Sequence, residues 1–302
     1  MLSLLTGLAA ALAWGLHDLL VRRLAPGAAV LPLFGVVLAV GVLLLLPVTL
    51  IFGGLAPVSA TTLAACLAAG AAYVLAGGGL YIAFSLAPVR IVAPVVGAYP
   101  LLTLGLAVLR GKSISAGEWL AVAVVVVGIA LVSVFNRAGG DHGRTGQDRT
   151  GQDRTGHFAG AAENHRRALV WALAGAFGFA LTFFFAQIAT EAGGAASSIL
   201  LTRLSALAIL LALVLARHPD LSAARANLPV LIGMGALDAA ALGLVQWAGG
   251  LPHPEYAAVA ASLFGVIAIL LARIFLNEKV SAGQWLGILV VFAGIGGLST
   301  GL

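Results

Sequence analysis

Ten apolar runs occupy most of this chain of 302 residues: roughly 2–24, 30–52, 61–85, 89–109, 115–135, 167–189, 197–216, 228–250, 256–275 and 281–299. Each is close to the ~20 residues a helix needs to cross a hydrocarbon core. Lipid offers no partner to backbone N–H and C=O groups, so such runs are expected to fold as helices that satisfy themselves. The third and fourth runs are separated only by Leu86-Ala87-Pro88, and Pro88, which has no N–H to donate, is the expected break between them. Composition points the same way, with 61% apolar and 9% charged residues against about 45–50% and 25% in soluble domains. Disorder is excluded by the same values. The 39 glycines follow no collagen period and suit helices that pack closely inside a membrane.

The formal net charge of +5 would suggest nucleic acid in a soluble protein, but the basic residues lie mostly between apolar runs, where they set topology. No nucleic-acid partner is expected. The single cysteine, Cys66, can form no intramolecular disulfide and has no metal-ligand spacing around it. The first run is not preceded by a positive n-region and continues to about Leu24, so a cleavable signal peptide is not expected.

One segment breaks the pattern. Residues 136–166 are polar and carry the pentad Arg144-Thr145-Gly146-Gln147-Asp148, repeated from Arg149 and begun again at Arg154. Ten of the 27 charged residues lie between Arg137 and Arg167. A segment that buries nothing reads as a flexible linker. It divides the chain into a first half at 1–135 and a second at 167–302.

The halves are related by a shift of 166 residues. Ser115-Ala116-Gly117-Glu118-Trp119-Leu120 aligns with Ser281-Ala282-Gly283-Gln284-Trp285-Leu286, and Gly128-Ile129 with Gly294-Ile295. Between 115 and 133, ten of nineteen positions are identical, and Pro88 falls on Pro254. Five helices per half is an odd number, so the second half enters the membrane from the opposite side. The expected fold is an all-α membrane protein of ten transmembrane helices, arranged as two inverted five-helix repeats with a site near the midplane between them.

The segments that close the halves resemble a known family. Phe275-Leu276-Asn277-Glu278-Lys279-Val280-Ser281, followed by Gln284-Trp285-Leu286-Gly287 and Gly294-Ile295, is similar to the end of the EamA-like proteins, ten-helix members of the drug/metabolite transporter superfamily. Ala13-Trp14-Gly15 resembles that family's early tryptophan-glycine step, and Tyr99-Pro100 takes the place of its fourth-helix proline. The chain departs from the family pattern at Arg110-Gly111-Lys112, at Phe264-Gly265 and in carrying an arginine, Arg203, in the seventh span. Length and aromatic-rich spans are most similar to the YddG-type aromatic amino acid exporters. The resemblance implies an exporter of small metabolites, most plausibly aromatic amino acids, in a bacterial inner membrane. A broad drug or sugar-phosphate carrier is the alternative within the superfamily, and a membrane-embedded lipid enzyme a more distant one.

Candidate site residues follow from the cost of polar groups in lipid. Trp14, His17 and Asp18 share one face of the first helix, at spacings of three and four. An indole, an imidazole and a carboxylate there could receive an amino acid zwitterion, the carboxylate taking its ammonium. Asp18 could instead pair with Arg22 one turn on. Arg203 could hold a substrate carboxylate through its fork, or pair with Glu191 or Asp238. Asp238 lies near the middle of the eighth span and must face protein or water. Tyr81, Tyr99, Phe183, Phe184, Gln246 and Trp247 are the expected aromatic and polar lining. Trp119, Trp171 and Trp285 lie near span ends and read as interfacial anchors.

Enzyme signatures are absent: the sequence has no His-Glu-x-x-His, no Gly-x-Ser-x-Gly and no Walker lysine loop. No cofactor and no metal are expected, and transport would draw on an ion or substrate gradient. A monomer is the expected state, though nothing in the sequence determines the oligomeric state. Orientation stays open. Alternating loops place Arg110 and Lys112 on the side of the termini and thirteen Lys and Arg residues on the other. The positive-inside rule then puts the termini outside the cytoplasm, whereas the resemblance implies that they lie inside.

Overall fold

The computed structural model describes residues 1–53, 58–109, 111, 113, 115–141, 154–193, 195–248, 257, 260–261 and 263–300. Among them there are helices and turns but no strand. The helices are α1 (Leu2–Leu24), α2 (Val30–Val48), α3 (Ala60–Leu86), α4 (Val89–Gly97), α5 (Tyr99–Leu109), α6 (Ala116–Asp141), α7 (Arg154–Gly193), α8 (Ala195–Arg217), α9 (Ser222–Ala226), α10 (Leu228–Ala248), α11 (Phe264–Phe275) and α12 (Ala282–Thr300).

Six helical stretches are long and apolar enough to cross a membrane: Leu2–Leu24, Val30–Ile51, Ala60–Leu86, Glu163–Gly193, Ala196–Arg217 and Leu228–Val245. Shorter apolar helices cover Ala116–Ile129, Phe264–Phe275 and Ala282–Gly297. Leucine, isoleucine and valine side chains such as Leu12, Leu43, Ile51, Val126, Leu173, Leu211 and Ile274 stand on the outer surface. In water this would be costly; in a bilayer it is the lipid-facing coat of a multi-pass membrane protein.

Local chemistry sets the helix ends. The repeated Ser-Ala-Gly-Glu/Gln-Trp motif is a capping box on both helices it opens. On α6, Ser115 Oγ accepts from the Glu118 N–H at 3.1 Å and Glu118 Oε2 accepts from the Ser115 N–H at 2.8 Å. On α12, Ser281 Oγ accepts from the Gln284 N–H at 3.2 Å and Gln284 Oε1 accepts from the Ser281 N–H at 2.9 Å. The turn before each box contains a residue in the left-handed region, Gly111 at φ 85° and Asn277 at φ 54°, and these two positions are also 166 residues apart. Proline explains the departures from uniform spans. The run expected at 89–109 is two helices that meet at Ala98, where the Leu101 N–H bonds Ala98 O and the Ala98 N–H bonds Val95 O. Pro100 lacks an N–H and disfavours the α region for Tyr99 before it. Pro47 lies inside α2, which ends in a π-helical turn at Thr49–Gly53. Helical backbone also covers 136–141 and 154–166, so both ends of the polar segment continue neighbouring helices; most of its pentad repeat lies outside the described residues.

Packing follows small residues. Gly128 of α6 and Gly287 of α12 bring these helices so close that a Cβ on Gly128 would meet the Val291 nitrogen at 2.6 Å. On α3, Gly79 packs against the Gly175 backbone of α7. The helix contacts come in pairs related by the 166-residue shift: α3 on α7 with α10 on α1, α3 on α8 with α10 on α2, and α4–α5 on α7 with α11 on α1. Two further contacts, α2 on α8 and α6 on α12, map onto themselves.

Candidate functional site

Four helices bring their polar residues to one buried place. Arg203 of α8 donates from Nη1 to Asp238 Oδ2 of α10 at 2.6 Å, and both side chains are almost wholly buried. The other carboxylate oxygen, Asp238 Oδ1, accepts from Trp14 Nε1–H of α1 at 3.3 Å. One turn further along α1, His17 Nδ1 lies 3.1 Å from Asp18 Oδ1, and His17 Nε2 lies 3.2 Å from the Tyr81 hydroxyl of α3. His17, Asp18 and Tyr81 are buried. Two polar centres thus lie side by side, one built by α1 and α3 and the other by α8 and α10, with Trp14 joining them.

Room for the Arg203–Asp238 pair depends on an absent side chain. A Cβ on Gly41 of α2 would lie 2.9 Å from Arg203 Nη1 and 3.8 Å from Asp238 Oδ2. The guanidinium carbon also stands 5.3 Å above the Tyr73 ring, a cation–π contact strengthened by the dry surroundings.

Aromatic rings surround these groups. Phe34 of α2 packs against Tyr73 at 5.9 Å and Tyr81 at 5.3 Å between centroids. Gly77 of α3 leaves space for the Phe34 ring. Phe179 of α7 touches both Tyr73 and Tyr99, and Phe183 stacks on Tyr99 at 5.2 Å and 18°. Phe264, which opens α11, makes an edge contact with Trp14 at 6.2 Å.

The structure therefore brings Trp14, His17, Asp18, Tyr81, Arg203 and Asp238 together, with Tyr99 joined to them through Phe179; Phe183 stacks on Tyr99 but is 46% exposed. Of the partners weighed for Arg203, Asp238 is the one it meets. Arg22 does not pair with Asp18: its Nε bonds Glu278 Oε1 at 3.1 Å. Phe184 packs against Phe185. Trp247 is exposed; it follows Asp238 by nine positions, which at about 100° per residue turns it to the opposite face of α10. Gln246 lies on α10 with its side chain outside the described residues. Of the expected anchors, Trp119 is exposed and Trp171 and Trp285 pack partly against the core.

Sequence reasoning missed Tyr73, Phe34, Phe179 and Phe264. Tyr73 carried a usable signal, a phenol at the middle of a span. Phe264 stood out only as a departure from the family pattern, and Phe34 and Phe179 read as ordinary core.

Charge arithmetic limits what the cluster can do. Arg203 and Asp238 neutralise each other, so neither is left as a lone buried charge. An incoming group bearing both an anion and a cation could exchange with the pair at no net change in buried charge. Among the described residues no group of three or more His, Cys, Asp and Glu side chains could hold a metal ion.

The sequence pattern of the EamA-like transporter family matches residues 1–134 and 166–300. No curated protein matches the chain. Sixteen solved chains do; one, described simply as a crystal structure of a protein, is 16% identical, covers 98% of this chain and 95% of its own, and superposes with a TM-score of 0.57. At that identity the likeness speaks for the fold alone.

Proposed function

The chain belongs to the EamA-like transporter family, and on that premise we propose that it exports aromatic amino acids or closely related flat zwitterions by alternating access. Family membership makes it a multi-pass membrane transporter of small molecules, and such members are not enzymes. The substrate, the site and the cycle are our reading.

The observation that carries the reading is the Arg203–Asp238 pair within an aromatic lining. A zwitterionic amino acid presents a carboxylate to Arg203 and an ammonium to Asp238, replacing one neutral arrangement by another. Trp14, Tyr73, Tyr81, Tyr99, Phe179 and Phe183 offer ring faces and edges to its side chain. A sugar phosphate is favoured less, because Arg203 already has a carboxylate, Asp238.

The paired helix contacts support two five-helix repeats of inverted topology that rock about this centre, in a ten-helix chain. The family matches leave 135–165 between them, which supports a linker joining the halves. A bacterial inner membrane is the setting proposed.

Proteoliposomes preloaded with tryptophan, phenylalanine, leucine, alanine, a sugar phosphate or a cationic drug test the reading, with and without a proton gradient. Faster efflux of tryptophan and phenylalanine than of alanine is expected. Equal flux of every solute, or no flux of the aromatic ones, rejects it.

A further inference from the structure

A second polar cluster lies away from the central site, at one end of the bundle. Glu278 follows α11 in the turn that Asn277 opens, and its N–H reaches back to Ala272 O at 3.3 Å. This bond, spanning six positions, folds the chain back over the end of α11 and directs Glu278 toward the first half of the chain. There both carboxylate oxygens are used. Oε1 accepts from Arg22 Nε of α1 at 3.1 Å, and Oε2 accepts from the Val89 N–H at 3.0 Å. Val89 is the first residue of α4, whose N–H has no partner within its helix. Arg22 also donates from Nη1 to Phe84 O in the last turn of α3, at 2.8 Å. Arg90, beside Val89, adds attraction to the carboxylate. The Glu278 side chain is only 9% exposed. Leu24, Leu276 and Val280 pack partly into the core beside it.

We infer that the Arg22–Glu278–Val89 tie is the closing contact of this end of the transporter, and that it must break for this end to open. The inference rests on the alternating-access reading. Glu278 reaches from the second half to α1 and α4, and through Arg22 to α3. Separating the halves here therefore removes every partner of its carboxylate together. At the positions related by the 166-residue shift, Lys112 stands in place of Glu278, Ile188 in place of Arg22 and Glu255 in place of Val89, with Lys112 and Glu255 outside the described residues. The buried ionic tie biases the molecule toward closure at this end.

Distances between spin labels in nanodiscs test this without any substrate. In a Cys66→Ser background, one pair at Pro26→Cys and Lys279→Cys reports on the tied end, and one at Val58→Cys and Thr190→Cys on the other. Glu278→Gln and Arg22→Gln should each move part of the population at the tied end to longer distances, by roughly 5 Å or more, while the other end shortens. Glu278→Asp, which keeps the charge but shortens the reach, should give a smaller shift of the same sign. Unchanged distances with a lowered melting temperature would make the tie a mere strut and overturn the inference, as would failure of Glu278→Gln to fold. Shifted distances without aromatic amino acid flux leave the tie standing and reject the substrate reading.

Discussion

Arg203 and Asp238 are 35 residues apart in sequence and meet at 2.6 Å between α8 and α10. Each is the reason the other can be charged inside the membrane. The indole of Trp14 takes the remaining carboxylate oxygen, and the missing side chain of Gly41 leaves space for the guanidinium.

Breaking the pair from one side should cost more than removing it. Arg203→Gln or Asp238→Asn strands a buried partner, a loss of about 3–5 kcal/mol. The double variant Arg203→Met with Asp238→Leu should recover much of the melting temperature while transport stays lost. Thermal unfolding in detergent and tryptophan efflux, measured on the same preparations, check both halves of the statement. Double-variant stability equal to the sum of the single losses would count against the pairing.

Gly41→Ala should disturb the site from the opposite helix. Its Cβ would lie 2.9 Å from Arg203 Nη1, so the guanidinium must shift within its bond to Asp238. Lower stability and slower efflux are expected. Gly35→Ala on the same helix meets nothing closer than 3.8 Å, and should be neutral or gain up to about 1 kcal/mol from better helix propensity.

Trp14→Phe keeps a ring beside Phe264 but removes the N–H to Asp238. A net loss of about 1 kcal/mol in stability is expected, with weaker discrimination between tryptophan and alanine in competition efflux. Trp247→Ala, on the far face of α10, should leave that discrimination unchanged.

Tyr81→Phe leaves His17 Nε2 without its hydroxyl partner in a buried place, costing about 1–3 kcal/mol. Thermal melting measures the loss. The double variant with His17→Phe should be less destabilised than two independent losses would make it, because the orphaned nitrogen is gone.

Gly287→Ala tests the seam between α6 and α12 away from the site. The added Cβ would meet the Val132 nitrogen at 2.7 Å and Gly128 O at 2.9 Å. The helices must part, so melting should fall while the ranking of transported solutes stays as it was.

Much of the architecture was legible in the chain. The spans declare themselves because lipid forces long apolar runs into helices whatever their neighbours. The duplication declares itself because Ser115 and Ser281 cap their helices with near neighbours, a local interaction that leaves a local motif. The membrane cost of charge singled out Asp18, Arg203 and Asp238. Their partners were less legible. Arg22 has an acid one turn away in Asp18, yet bonds Glu278, 256 positions distant.

Sequence by itself therefore determined that this protein is a helical membrane protein of the EamA-like kind. Helix formation in lipid and helix capping act between residues a few positions apart. Tertiary structure alone decided which polar groups meet: Asp238 with Arg203 and Trp14, His17 with Tyr81, Glu278 with Arg22 and Val89. Those meetings depend on where glycines such as Gly41 let helices approach and on which face each helix turns inward. Trp247 illustrates the point, since half a turn of α10 separates it from the cluster that Asp238 joins.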